Sequence, residues 1–154
     1  MDLETLHLKI GLTGTSTKKQ PEFNISVNSK IVFSGCLTKP PGELEFFEFD
    51  VQCVEGNNSL EITLLNKESA DTVQENGKIV EDLMLCINHL EIDDIDLHTL
   101  LWTNSSYYPI YPDNYLDENQ KSIKQVKNTK DLGWNGTWVF PFVSPFYIWL
   151  LENL

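Results

Sequence analysis

Carboxylate and amide side chains that can bind a cation are concentrated between positions 59 and 97 of this 154-residue chain. They stand at the ends of predicted strands, and they are Asn66, Asp71, Asp82, Asp93, Asp94 and Asp96. Calcium takes about six to eight oxygen ligands, which two loops meeting at one end of a β-sandwich can supply without EF-hand spacing. We therefore predict a calcium site formed by Asn66, Asp71, Asp82 and Asp94. The alternative is that these side chains only end strands and satisfy turn amides.

Motifs for covalent or redox chemistry are missing from the sequence. There is no Gly-x-Ser-x-Gly turn and no phosphate-binding loop. The cysteines and histidines are spaced too widely for a local metal motif, and they are Cys36, Cys53, Cys86, His7, His89 and His98. An odd number of cysteines predicts reduced, buried thiols. We expect a protein that binds and is not an enzyme, with a hydrolase that uses paired carboxylates as the weaker alternative.

Three tyrosines lie next to prolines in the stretch that follows Trp102. Tyr107, Tyr108 and Tyr111 are candidate ligand-binding residues, because an aromatic face stacks on the apolar face of a sugar. The prolines reduce the entropy that such a loop loses when it becomes ordered. The alternative is that the tyrosines pack against their own sandwich or against another subunit.

The C-terminal segment, residues 132–154, is the most aromatic part of the chain. Its aromatic side chains are Trp134, Trp138, Phe140, Phe142, Phe146, Tyr147 and Trp149. At about 25 cal/mol per Å² and about 150–250 Å² per ring, even partial burial is worth on the order of 10 kcal/mol before entropy is subtracted. We predict that these rings bind a neighbouring subunit in an extended clamp. The alternative is a last pair of strands that completes the chain's own sheet.

The elements that position these residues are strands. Apolar and polar residues alternate over 6–12, 23–27, 44–54 and 59–65, which is the period of half-buried strands, and helical periodicity with caps is not sustained over three turns. Short strands separated by Gly, Pro, Asn and Asp predict an all-β fold, an antiparallel β-sandwich of jelly-roll type. We expect a sandwich domain at 1–102, a connecting segment at 103–131 and the docking segment at 132–154.

Length and charge narrow the possible partners. The chain is long enough for one domain with its own core. With 11 basic and 23 acidic residues its formal charge is −12, which repels phosphate backbones and anionic lipid headgroups. The start of the chain lacks the pattern of a signal peptide, and no apolar stretch has the length of a membrane span. We expect neither nucleic acid nor a membrane as partner.

Four stretches carry a resemblance to a known group of proteins. They are Ser59–Lys67, Asp71–Val73, Gly77–Asp82 and Leu90–Leu97. In these stretches the chain resembles small virion proteins of tailed bacteriophages, particularly marine phages that infect cyanobacteria. It is also distantly similar to calcium-dependent, xylan-binding carbohydrate modules. The resemblance implies a jelly-roll binding domain with Asn66, Asp71 and Asp82 at its rim.

These observations lead to two functional hypotheses. The first is a non-enzymatic phage structural protein of the capsid, neck or tail, made in the host cytoplasm and held on other virion proteins by its C-terminal segment. A chain truncated after Lys130 is then expected to fold but not to enter particles. The second is a calcium-dependent module that binds host surface polysaccharide through its tyrosines.

Overall fold

A computed structural model describes residues 3–111 and 123–154 of the chain. The strands, in chain order, are β1 (Leu3–Gly14), β2 (Glu22–Val27), β3 (Lys30–Cys36), β4 (Glu45–Val54), β5 (Gly56–Leu64), β6 (Val73–Glu75), β7 (Lys78–Glu81), β8 (Leu85–Ile92), β9 (Ile95–Asp96), β10 (Ser106–Ile110), β11 (Val126–Lys127), β12 (Asp131–Leu132) and β13 (Asn135–Ser144). The helical segments are a 3₁₀ turn (Ser69–Asp71), α1 (Leu100–Thr103) and α2 (Phe146–Asn153). Part of the predicted connecting segment, 112–122, lies outside the described residues.

The strands form two antiparallel sheets that pack against each other. One sheet has the order β12-β8-β1-β4, with β9 attached to β8, and the other has the order β11-β10-β13-β5-β2-β3. A separate hairpin consists of β6 and β7. The predicted all-β antiparallel sandwich is confirmed.

The core follows directly from the alternation in the sequence. Successive side chains of a strand point to opposite faces, so a period of two sends one set inward and the other to solvent. In β1 the even-numbered residues from 6 to 12 are fully buried, and they are Leu6, Leu8, Ile10 and Leu12. Side chains of β2, β5 and β13 meet them from the second sheet.

The C-terminal segment is an integral part of the sandwich. Its main strand, β13, lies between β5 and β10, in register with β5 from Gly136 opposite Leu64 to Ser144 opposite Gly56. Four of its predicted partner-binding rings are fully buried in the core: Trp138, Phe140, Phe142 and Phe146. The prediction of a docking role is therefore wrong for these four. Trp138, Phe140 and Phe142 alternate along β13, so they point to one face of their sheet, where the opposite sheet that contains β1 covers them; Phe146 joins the same core from α2.

Helix α2 closes one end of the sandwich. Phe146 packs edge-on to Phe142 with ring centroids 6.2 Å apart, and Trp149 packs edge-on to Phe140 at 6.0 Å. The Glu4 carboxylate accepts hydrogen bonds from Ser144 Oγ at 2.6 Å and from the Phe146 N–H at 2.9 Å, which ties the start of the helix to β1.

None of the helices in the described ranges has the length and apolar character needed to cross a membrane.

Candidate functional site

The end of the sandwich away from α2 collects three of the four predicted calcium ligands, Asn66, Asp71 and Asp82, together with Trp134. We call it the rim and define it as residues 65–72, 82–84 and 133–135. β5 ends at Leu64 and β13 begins at Asn135 beside it, while β8 begins at Leu85 in the other sheet. Two neighbouring loops and a third segment about 50 residues further along the chain therefore meet at one edge of the fold.

Lys67 is at the centre of the rim. Its side chain is 1% exposed, and its ammonium donates hydrogen bonds to Asp82 Oδ1 and, at 2.8 Å, to the carbonyl oxygen of Leu83. Thr72 Oγ1 donates to the same Asp82 oxygen at 2.8 Å. The Lys67 ammonium also lies 5.1 Å from the centroid of the Trp134 ring, within the range of a cation–π contact. Sequence reasoning missed Lys67, since a lysine after an asparagine looks like any solvated residue.

Two asparagines anchor the loop that carries Lys67. The Lys67 N–H donates to Asn135 Oδ1 at 2.7 Å, and Asn135 Nδ2 donates back to the Lys67 carbonyl oxygen at 3.1 Å. Asn66 Oδ1 accepts from the Glu22 N–H at 2.8 Å, and Asn66 Nδ2 donates to the Gln20 carbonyl oxygen at 3.0 Å. The loop is thus hydrogen-bonded to the segments around β2 and β13.

Asp71 is held by a second lysine. Lys19 Nζ donates to Asp71 Oδ2 at 2.8 Å, and the Glu68 N–H donates to the same oxygen at 2.7 Å. Burial pushes the pKa of Asp71 upward, but these hydrogen bonds and the charges of Lys19 and Lys67 outweigh it, so the pKa lies below its ordinary value. Asp71 is therefore an ionised carboxylate at neutral pH.

The predicted calcium ligands are brought together only in part. Asn66, Asp71 and Asp82 all lie at the rim, but Asp94 lies in the turn after β8, at the far end of that strand. An eight-residue strand spans roughly 25 Å, so Asp94 cannot share an ion with Asp82. Sequence proximity placed Asp94 with the others, whereas the direction of β8 separates it from them.

The donor set at the rim does not fit calcium. Calcium needs several oxygens that are free to coordinate it. Here the carboxylates of Asp71 and Asp82 each bear a lysine ammonium, and Asn66 Oδ1 already accepts a backbone N–H. Within 3–111 and 123–154, no group of three or more His, Cys, Asp or Glu side chains is arranged to hold a metal ion.

The three tyrosines have different environments. Tyr107 is 4% exposed, and its hydroxyl donates to the Trp134 carbonyl oxygen and accepts from the Trp134 N–H at 3.0 Å. A stacking role is therefore wrong for Tyr107, whose burial also raises its pKa. Tyr108 is 44% exposed, and Gln125 Nε2 donates to its hydroxyl at 3.1 Å. Tyr111 packs edge-on to Trp134 with ring centroids 6.0 Å apart.

An open cleft of about 720 Å³ lies beside the rim lysines. The residues that line it include Lys19, Glu22, Leu65, Asn66, Glu68 and Asn135. The lining combines ammonium, carboxylate and amide groups with an apolar leucine. The Lys19 ammonium and the Asn66 and Asn135 amides already form hydrogen bonds within the protein, so a ligand would use the remaining hydrogen-bonding capacity of these groups and of Glu22 and Glu68. Such a set suits a ligand with many hydroxyl groups. Trp134 and Tyr111 lie close to this cleft because Trp134 adjoins Asn135 and contacts Lys67.

Two of the three histidines share an acidic neighbour: His89 Nδ1 and His98 Nδ1 each lie 3.7 Å from an Asp96 carboxylate oxygen. The third, His7, forms a charge cluster on the outer face of the sheet. His7 Nδ1 lies 2.8 Å from Asp50 Oδ1, and His7 Nε2 lies 3.0 Å from Glu48 Oε1. Only the doubly protonated ring donates to both acceptors at once. The hydrogen bonds to Glu48 and Asp50 raise the pKa of His7 above 6.5.

This pair of contacts makes stability depend on pH. Because the pKa of His7 is raised in the folded state, its stabilisation is complete below pH 6.5 and is lost as pH rises through the folded pKa. We expect His7→Gln to lower the melting temperature at pH 5.5 by more than at pH 8.5, with a small difference because the site is exposed. The difference should vanish in a Glu48→Gln/Asp50→Asn background. A pH-independent effect of His7→Gln would contradict the assignment.

The fold described above is similar to the β-sandwich fold of known carbohydrate-binding modules. One similar solved structure is vCBM60 in complex with galactobiose, with a TM-score of 0.51 and 10% identity over 87% of this chain and 96% of that chain. Another is the selenomethionine form of vCBM60, with a TM-score of 0.51 and 10% identity over 88% and 89%. The latter was described with a circular permutation that links two families of calcium-dependent carbohydrate binding modules. At this identity the likeness concerns the fold.

No protein-family model and no curated protein sequence matches this chain.

Proposed function

We propose that this protein is a non-catalytic carbohydrate-binding module that holds a glycan at its rim. The observation that carries the proposal is the open cleft of about 720 Å³ lined mainly by polar groups. Trp134, which packs edge-on to Tyr111, is the chain neighbour of the lining residue Asn135. The fold shared with vCBM60, a protein solved with galactobiose, supports it. Polar groups that converge beside an aromatic face satisfy both sides of a sugar ring, the hydroxyls and the apolar CH face.

The charge distribution favours a neutral glycan. The protein carries a formal charge of −12, so polyanions such as uronate-rich polysaccharides are repelled. The ammonium groups of Lys19 and Lys67 do not reverse this effect, because each is already paired with a rim carboxylate. Uncharged polysaccharides experience no such electrostatic repulsion.

A binding role is also more consistent with the rim carboxylates than catalysis. A general acid in a hydrolase needs a carboxyl group whose pKa is raised towards neutrality. The pKa of Asp71 is instead lowered, and Asp82 is hydrogen-bonded to the Lys67 ammonium and the Thr72 hydroxyl. These carboxylates hold the rim together.

Substitution of Trp134 tests the proposal. We expect Trp134→Ala to weaken binding to a neutral polysaccharide by about 10-fold or more, because a lost stacking surface is worth at least about 1.4 kcal/mol. Binding is measured by affinity electrophoresis and calorimetry against xylans, galactans and glucans, with alginate as the anionic comparison. Tyr111→Ala serves as an independent second variant.

The matched control is Trp102→Ala, because Trp102 is 38% exposed and lies in α1, before the strand that leads to the rim. This variant should bind as the unsubstituted protein does. Equal binding by all three variants, or no binding of any neutral polysaccharide by the unsubstituted protein, would refute a glycan site at the rim.

A virion component that binds neighbouring subunits is the second candidate function. It now depends on the outer face of α2, where Tyr147 is 61% exposed and Ile148 and Leu151 are also exposed. Self-association through this face would raise the mass measured by light scattering, and Tyr147→Ser/Leu151→Ser would return the protein to a monomer. A monomer at all concentrations removes self-assembly through α2.

A further inference from the structure

We infer that the Lys67 ammonium is a built-in cation of the rim, so that the rim stays assembled without a divalent metal. The sequence predicts calcium at this place from its carboxylates, and the structure supplies a side-chain charge there instead. The inference concerns the stability of the free protein and goes beyond the proposed glycan binding.

The surroundings of Lys67 satisfy its ammonium group. An ammonium has three N–H donors and no acceptor. Here it donates to the Asp82 carboxylate and to the Leu83 carbonyl oxygen at 2.8 Å, and it lies 5.1 Å from the centre of the Trp134 ring. A charge that is 99% buried needs such partners, because an unpaired buried ion is strongly destabilising.

Lys67 joins chain segments in the way that a bound metal ion would. Its main chain is hydrogen-bonded in both directions to Asn135, and its ammonium reaches Asp82 and Leu83 between β7 and β8. Asp82 is bound in turn by Thr72, after the 3₁₀ turn. The ammonium thus joins the loop after β5 to the approach to β8, and through the Trp134 ring to the approach to β13.

A second lysine neutralises the other rim carboxylate. Lys19 Nζ lies 2.8 Å from Asp71 Oδ2 and 4.0 Å from Glu68 Oε2. Its side chain is 30% exposed, so this pair contributes less than the Lys67 pair. A calcium ion at the rim would have to displace both ammonium groups from their carboxylates.

The first test needs no variant. Thermal unfolding of the full chain is measured in excess calcium chloride and in EDTA, and we expect the same melting temperature in both. A rim that bound calcium at 100 times its Kd would melt roughly 5–10 °C higher in calcium. A shift of that size would overturn the inference.

The second test removes the charge. Lys67→Met keeps most of the side-chain volume but leaves Asp82 without its cation, and we expect the melting temperature to fall by roughly 5–10 °C. Lys67→Met/Asp82→Leu should regain part of the loss, since no unpaired carboxylate remains. The control is Lys78→Met on the exposed hairpin, which should melt like the unsubstituted protein. A Lys67→Met protein as stable as the control would contradict the inference.

The proposed glycan binding and the proposed role of Lys67 can be refuted independently of each other. If the unsubstituted protein binds a neutral polysaccharide, its affinity should be equal in calcium and in EDTA. Loss of that binding in EDTA would overturn the built-in cation and leave glycan binding intact. The opposite outcome is that no glycan binds, that calcium does not change the melting temperature, and that Lys67→Met lowers it. This outcome would overturn the proposed function and support the role of Lys67.

Discussion

A chain truncated after Lys130 will not fold. The truncation removes β12, β13 and α2, and β13 is a central strand that pairs with both β5 and β10. Without it β5 and β10 each lose a hydrogen-bonded neighbour. Together with α2, the truncation removes four fully buried rings from the core: Trp138, Phe140, Phe142 and Phe146. At about 4–6 kcal/mol of burial per ring, the loss exceeds the roughly 5–15 kcal/mol by which domains are stable.

Far-UV circular dichroism and proton–nitrogen correlation spectra test this expectation. A chain that ends at Leu151 is the control, because it lacks only the exposed residues 152–154 and should give the spectrum of the full protein. A dispersed, native-like spectrum from the chain that ends at Lys130 would mean that the C-terminal segment is an appendage after all. That result would restore the docking role that the packing of β13 contradicts.

Replacement of Gly136 by alanine will be the most destabilising change of a single small residue. Gly136 has a φ of 140°, and a Cβ there would lie 2.3 Å from the Tyr108 carbonyl oxygen and 2.8 Å from Pro109 Cα. Both atoms belong to the β10 backbone, which cannot move without breaking its pairing with β13. We expect a loss of about 3 kcal/mol or more in the free energy of unfolding.

The control for Gly136→Ala is Gly77→Ala in the β6–β7 turn. Gly77 also has a positive φ, 78°, but a Cβ there would meet no atom within 4 Å, so only the backbone strain of about 1 kcal/mol remains. Urea unfolding of both variants measures the difference. Equal losses would mean that the close approach of β10 and β13 does not matter. Because Gly136 follows Trp134 and Asn135, the same substitution should also weaken any binding at the rim.

Local pattern was sufficient to predict the strands and the class of fold. The alternation of Leu6, Leu8, Ile10 and Leu12 in β1 has the period of a half-buried strand. The pairs Asn28-Ser29 and Asn76-Gly77 mark two of the turns between strands. These signals act between neighbours in sequence, so they survive in any arrangement of the sheets. The placement of Asn66, Asp71 and Asp82 at one rim could also be predicted, because all three end or precede strands.

Tertiary structure decided which strands are neighbours, and with them the character of the site. The same aromatic alternation in β13 suits a docking strand or a central one, and only the pairing with β5 and β10 makes it central. The burial of Lys67 depends on Asp82, Leu83 and Trp134, which are distant in sequence. Composition determined that the protein is acidic, and the local alternation of apolar and polar residues determined that it is a sandwich of strands. Long-range pairing determined where its charges lie, because electrostatic and packing energies depend on distance in space and not on separation along the chain.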